Sequence, residues 1–89
     1  MEIEFDPAKN QRNVQKHGIS LADVVDFDWD TAHVEEDLRS IYAERRFEAT
    51  GWLGNRLHVV IYCKRGIATH VISFRKANDR EFDEYVGNT

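Results

Sequence analysis

The amino-acid sequence predicts a single α+β domain spanning residues 1–89, and three observations support this fold class. Apolar and polar residues alternate over residues 46–53, 56–64 and 69–75, which is the pattern of strands with one buried face. Gly54-Asn55 and Arg65-Gly66 separate these segments and are typical of tight turns. Helix-capping residues lie on both sides of the three strands. The predicted order is a short N-terminal strand, two helices, a three-stranded antiparallel meander and a C-terminal helix.

The first two elements have clear local signals. Residues 1–5 alternate apolar and acidic side chains, which predicts a short strand at a sheet edge. Asp6 is suited to cap a helix, and Pro7 fits its first position. This helix is expected to reach about His17, with Gly18 providing a left-handed end.

The segment that follows combines a helix start with a strongly acidic stretch. Ser20 and Asp23 form a short variant of the capping box, which predicts a second helix. Residues 23–37 contain seven acidic residues and no lysine or arginine. We expect this stretch to be a loop or an irregular edge segment.

The three predicted strands define two faces of a sheet. Phe47 and the alternate residues after it form one apolar set, and Leu57, Val59, Ile61 and Cys63 form another. The final helix begins at Asn78, which has Glu81 as its capping-box partner. If the apolar sets face the helices, the free face displays Arg46, Glu48, Trp52, Arg56, His58, Tyr62, Lys64 and Arg75.

Charge and composition limit the possible functions. The net charge is −4, but residues 38–80 hold nine basic and three acidic residues, so this segment could meet a polyanion. The alternative is a surface of mixed charge on which these blocks do not correspond to faces. The single cysteine, Cys63, excludes a disulfide scaffold, and the absence of a long apolar run or a signal pattern predicts a cytoplasmic protein.

The side chains on the predicted free face suit RNA. Guanidinium groups pair with phosphates, and tyrosine and tryptophan offer stacking surfaces for unpaired bases. The alternative is a solvated sheet face stabilised by pairs across strands. The histidines and the single cysteine lack the spacing of a zinc site, and glycine-rich phosphate loops are absent, so no metal or cofactor is expected. His70 is expected to be a packed core histidine.

Four blocks, in order from about residue 4 to residue 85, resemble the BrnT toxin family. The first contains FDPAKN at 5–10, Asn13 and KHGIS at 16–20, and the second contains YAERRF at 42–47 and Gly51. The third runs from Arg56 to Gly66, and the fourth contains IS at 72–73, RKAN at 75–78, RE at 80–81 and Tyr85.

The resemblance implies a type II toxin with a RelE-like fold that cleaves RNA without a metal ion and inhibits translation. It also implies neutralisation by a BrnA-type ribbon-helix-helix antitoxin. The pair would repress its own operon, so that operator DNA is contacted only through the complex.

RNA supplies its own nucleophile, the 2′-hydroxyl, so the protein must position it, move protons and neutralise charge. We expect Arg46, Arg65 and Arg75 to stabilise the phosphate because an arginine donates two hydrogen bonds at once. His17 and Glu44 are the first candidate proton carriers, and Tyr62 is the next candidate. If His17 only caps its helix, Glu44 or Lys64 must take this role. The residues expected to contact RNA are Trp52, Arg56, His58, Tyr62, Lys64 and Lys76.

Two other functions remain open from the sequence. The first is a binding module of the same fold that contacts RNA or a protein without cleavage. The second is a structural or regulatory protein whose basic strip meets an acidic segment of a partner.

Overall fold

The computed structural model describes residues 1–39, 41 and 43–89; Tyr42, which opens the second resembling block, lies outside them. The described residues form a five-stranded mixed sheet in the order β1-β5-β4-β3-β2. In chain order the elements are β1 (Glu2–Glu4), α1 (Pro7–His17), a 3₁₀ helix (Leu21–Asp26), β2 (His33–Glu36), β3 (Phe47–Leu53), β4 (Arg56–Arg65), β5 (Ala68–Lys76) and α2 (Asp79–Gly87).

The predicted helix starts are confirmed. Asp6 accepts a hydrogen bond from the Ala8 amide at 2.9 Å, and Gly18 ends α1 with φ of 71°. Asn78 and Glu81 form the predicted capping box of α2. The second helix begins at Ser20 as predicted, but it is a 3₁₀ helix of six residues. No helix in the described part of the chain is long and apolar enough to cross a bilayer.

The sheet is larger than the predicted three-stranded meander. β3, β4 and β5 are antiparallel neighbours, and β1 adds to the edge of β5 in parallel. β2 forms within the acidic stretch that was predicted to be irregular, because its glutamates lie along a partly exposed edge strand paired with β3. The edge position of β1 is as predicted, whereas the RelE-like class stays a prediction.

The predicted facing of β4 is wrong. Phe47 pairs with Tyr62 and Gly51 pairs with His58, so these residues share the face that packs against the 3₁₀ helix. Leu57 lies on the opposite face and is also buried. Because β4 has apolar residues on both faces, its alternation does not identify which face meets the helices.

We call the face that packs against the 3₁₀ helix the first face and the opposite face the second face. At the edge of the core on the first face, the polar side chain of Asn13 bonds to the backbone of β5. Leu21 and Val24 of the 3₁₀ helix pack with residues of β4 and β5, among them Phe74. The Asn13 side chain in α1 donates to the Phe74 carbonyl at 2.8 Å and accepts from the Phe74 amide at 3.2 Å. The amide group of Asn13 therefore pairs with β5 as a strand would, beyond the end of β1.

Candidate functional site

Helix α2 covers one part of the second sheet face and leaves the other part accessible. Phe82 and Tyr85 contact the ring of Trp52 edge-on, and the Tyr85 hydroxyl donates to the Thr31 carbonyl at 2.9 Å. The sequence had suggested that this face is free along its whole length, and that prediction is wrong for the part beneath α2. We call the uncovered part the open face; its residues are Glu44, Arg46, Cys63, Arg65, His70, Ile72 and Arg75.

A cavity of about 80 Å³ lies at the β1 end of the open face, and Glu44 and Arg65 form an ion pair in its wall. The Arg65 guanidinium donates two hydrogen bonds to the Glu44 carboxylate, at 2.8 and 3.1 Å. Both side chains are nearly half exposed. The hydrogen bond from Arg65 lowers the pKa of Glu44, so this carboxylate stays ionised and is a weak base near neutral pH.

His70 lies in the same cavity and contacts the N-terminal strand. Its Nδ1 is 3.1 Å from Oε1 of Glu4, and its side chain is 11% exposed. His70 is therefore buried, as predicted. It was predicted to pack in the core, however, whereas its ring lines a polar cavity. Cys63 lines this cavity too, and burial raises the pKa of its thiol, so it stays protonated.

Arg75 lies at the other end of the open face, beside the start of α2. Its guanidinium donates to both oxygens of Glu81, at 2.8 and 2.9 Å, and its side chain is 30% exposed. Glu81 also accepts from the Asn78 amide at 2.9 Å. One carboxylate therefore fixes both the helix start and the arginine, whereas the sequence indicated only its capping role.

His17 ends α1 near Arg75. Burial lowers the pKa of His17 below its ordinary value of 6.5, and the positive charges of Lys16 and Arg75 lower it further. Its imidazole is mostly neutral at pH 7 and can accept a proton.

Four of the five residues predicted to be catalytic lie on one surface. Glu44, Arg46 and Arg65 surround the cavity at one end, and Arg75 lies at the other. The fifth, His17, ends α1, and the positive charge of Arg75 contributes to its lowered pKa. Arg46 and Arg75 belong to the same side of the sheet, since Arg46 lines the cavity with Cys63 and Arg75 continues that face. Arginines from separate strands therefore lie on one exposed surface of the sheet.

Two residues predicted to contact RNA are instead part of the core. Tyr62 is 8% exposed and stacks on Phe47, and burial raises its pKa, so its hydroxyl is a poor proton carrier. His58 is 4% exposed, contacts the Phe74 ring, and has its pKa lowered by burial. The reversed facing of β4 explains both corrections, because residues assigned to the free face point toward the helices.

The other predicted RNA contacts are also displaced from the open face. Arg56 and Lys64 are exposed but follow the alternation of Tyr62, so they belong to the first face. The Lys64 ammonium donates to the Thr69 hydroxyl at 2.8 Å. Lys76 pairs in register with His58 on that face. Trp52 is on the second face but packs beneath α2, which covers its ring.

A second cavity, also of about 80 Å³, is acidic and lies between β2, β3 and α2. Its negative charge makes it unsuitable for a phosphate. No three histidine, cysteine, aspartate or glutamate side chains within residues 1–39, 41 and 43–89 are grouped to hold a metal ion. The cavity is lined by His33, Glu35, Glu48, Thr50, Glu81, Glu84, Tyr85 and Asn88.

Comparison with known proteins gives a family-model match and a match to a solved structure. A family model described as "Ribonuclease toxin, BrnT, of type II toxin-antitoxin system" matches residues 5–81. The 1.1 Å crystal structure of the Brucella abortus ribonuclease toxin, BrnT, is similar to this chain with a TM-score of 0.69 and 34% sequence identity. The similarity covers 89% of this chain and 99% of the Brucella chain. No curated protein sequence matches.

Proposed function

The chain belongs to the BrnT family of type II toxin-antitoxin ribonuclease toxins, and from that premise we propose that it is a metal-independent endoribonuclease. It cleaves RNA bound along the open face by activating the 2′-hydroxyl of the substrate. The observation that carries this proposal is the presence of Arg46, Arg65 and Arg75 on one accessible surface of the sheet.

The arginines neutralise the negative charge of RNA phosphates along the open face. A guanidinium group has five N–H donors, so Arg65 and Arg75 keep donors for a phosphate while each is bound to a carboxylate. Glu44 and Glu81 hold the two guanidinium groups in fixed positions, which reduces the entropy lost when RNA binds. Glu44 therefore acts on Arg65 and not as the base.

His17 is the general base in this proposal. Its lowered pKa leaves a neutral imidazole at pH 7, which can accept the proton of the 2′-hydroxyl. The oxygen that loses this proton attacks phosphorus, and the bond to the 5′ oxygen breaks. The products are a 2′,3′-cyclic phosphate and a 5′-hydroxyl.

Incubation of the purified chain with RNA tests the proposal. Cleavage should persist in EDTA, and RNA with 2′-O-methyl riboses should be bound but left intact. Arg46→Ala and Arg75→Ala should each reduce the rate by about 10²-fold, the loss typical for a group that stabilises charge in the transition state. Arg56→Ala is the matched control, because Arg56 belongs to the opposite face.

Three results would contradict parts of this proposal. Unchanged cleavage in both Arg46→Ala and Arg75→Ala would reject the site. EDTA-sensitive cleavage would overturn the metal-free chemistry. Binding of unmodified RNA without cleavage would select the non-catalytic binding module.

The family also supports proposals about partners. We propose that a BrnA-type ribbon-helix-helix antitoxin neutralises this RelE-like toxin, which otherwise inhibits translation in the cytoplasm. We further propose that operator DNA is contacted only through the complex with the antitoxin. Co-purification with the product of a neighbouring reading frame tests the pairing. Operator DNA should be retarded in a gel by the complex and not by the toxin alone.

A further inference from the structure

His70 occupies a position suited to proton transfer, although it was expected to be a core residue. It lines the cavity of the open face together with Arg46 and Arg65, where a phosphate would be bound. The neighbouring acid–base groups are less suited to proton exchange near neutral pH. The pKa of Glu44 is lowered by Arg65, and the pKa of Cys63 is raised by burial.

Glu4 determines which nitrogen of His70 is available. An ionised carboxylate can only accept a hydrogen bond, so the 3.1 Å contact requires a proton on Nδ1 of His70. Nε2 is then the nitrogen that exchanges a proton with a ligand, as in other imidazoles oriented by a carboxylate. The parallel pairing of β1 with β5 places Glu4 directly beside His70 in the sheet, which fixes this contact.

We propose that His70 is a second catalytic residue, which donates a proton from Nε2 to the 5′ oxygen as it leaves phosphorus, and that Glu4 is its positioning residue. This inference rests on the proposed function. Cleavage removes one proton from the 2′ oxygen, which the general base accepts, and adds one to the 5′ oxygen. His70 gives up its proton in the second transfer and regains one from water before the next cycle.

Arg46 and Arg65 line the same cavity as His70, so a phosphate bound by these arginines would lie next to the imidazole. The charged and titratable groups around His70 are Glu4, Lys9, Glu44, Arg46, Cys63 and Arg65.

The test measures cleavage of a short RNA as a function of pH. A general acid must be protonated, so the wild-type rate should fall on the alkaline side of its optimum. His70→Gln should lower the maximal rate by about 10²-fold or more and remove that alkaline fall. His70→Ala should be restored by added imidazole, which a packing role would not explain. His33→Gln is the matched histidine control, because His33 stacks on Tyr85 away from the open face.

Glu4→Gln provides a variant that perturbs the core less, since the Glu4 side chain is nearly half exposed. It should lower kcat with little change in KM, and Glu2→Gln in the same strand should change neither. A wild-type chain that leaves RNA intact would overturn the proposed function and this inference with it. A cleaving wild type with equally active His70→Gln, or His70→Ala that imidazole does not restore, would overturn the inference alone.

Discussion

Paired side chains on the open face show how single carboxylates hold arginines in place in a protein of negative charge. Arg65 is held by Glu44 and Arg75 by Glu81, each through two hydrogen bonds. Hydrogen bonding to these arginines lowers the pKa of both carboxylates, so neither releases its arginine at neutral pH. The two guanidinium groups are therefore held in fixed orientations by residues of the chain itself.

The pH dependence of cleavage follows from His17. A general base must be neutral, so the rate should rise with pH, with a midpoint below 6.5 because the pKa of His17 is lowered. Lys16→Gln removes a nearby positive charge and should move this midpoint to higher pH. Lys76→Gln, which alters a lysine on the opposite face, should leave it unchanged. Pre-steady-state cleavage measured between pH 4.5 and 8 would reveal either shift, and equal midpoints for Lys16→Gln and wild type would contradict the assignment.

The sequence indicated most of the charged site but not the contacts that organise it. Arg46 and Arg75 were predicted to share the free face of the sheet, and the structure places both on one face. Glu4 and His70 could not be paired, since they are far apart in the chain and meet only through the parallel register of β1 and β5. In the sequence, a histidine that alternates with apolar residues looks like a core residue. The neighbouring residues do not show whether its ring lies in the core or lines a polar cavity.

At the scale of elements, α1 is joined to the sheet through Asn13. Asn13→Ala should lower the free energy of unfolding by about 2–4 kcal/mol, because it leaves buried backbone groups of Phe74 without partners. The same change also removes a hydrogen bond to the Ile19 carbonyl. Urea denaturation followed by circular dichroism measures the effect, with Gln11→Ala on the exposed side of α1 as the control. A loss equal to that of the control would contradict the role of Asn13 as a strand substitute.

Strand β3 packs closely against the segment that follows the 3₁₀ helix. A Cβ atom at Gly51 would lie 2.8 Å from the Phe27 ring and 3.0 Å from the Ala32 Cβ. Gly51→Ala should therefore destabilise the fold by about 1–3 kcal/mol. Gly87→Ala is the comparison, since no atom lies near its added methyl group. Thermal unfolding of the two variants should show a lower Tm for Gly51→Ala alone, and equal Tm values would argue against this contact.

The helix ends, which have strong local signals, were predictable. The facing of β4 and the existence of β2, which depend on pairing and packing, were not. Asp6, Gly18 and Asn78 specify helix ends through local hydrogen bonds, so the sequence alone identified them. The facing of β4 depends on helices packing on both sides of it, and the alternation is equally consistent with either face. β2 contains mostly polar residues, so its pairing with β3 left no apolar pattern to recognise.

For the whole molecule, charge is separated on one side of the sheet. The open face carries Arg46, Arg65 and Arg75, and the neighbouring cavity beneath α2 carries Glu35, Glu48, Glu81 and Glu84. Under the proposed function, this arrangement would repel RNA from α2 and favour binding along the uncovered strands. The overall negative charge does not prevent binding, because a phosphate responds most strongly to the charges within about 10 Å.

The salt dependence of RNA binding tests this arrangement. If three arginines each neutralise one phosphate, the slope of log K against log salt should be about −2 for single-stranded RNA. Arg75→Ala should reduce the magnitude of the slope by about 0.7, and Arg56→Ala should not change it. Fluorescence anisotropy with 2′-O-methyl RNA measures binding without cleavage. A slope near zero would show that phosphate contacts do not hold the RNA.

The parallel pairing of β1 with β5 has a consequence for synthesis. A ribosome makes Glu4 early and His70 only after most of the chain, and the two meet when β5 joins the sheet. An incomplete polypeptide therefore lacks the contact between Glu4 and His70. Under the mechanism proposed above, a nascent chain would gain its proton donor only after nearly the whole domain has left the exit tunnel.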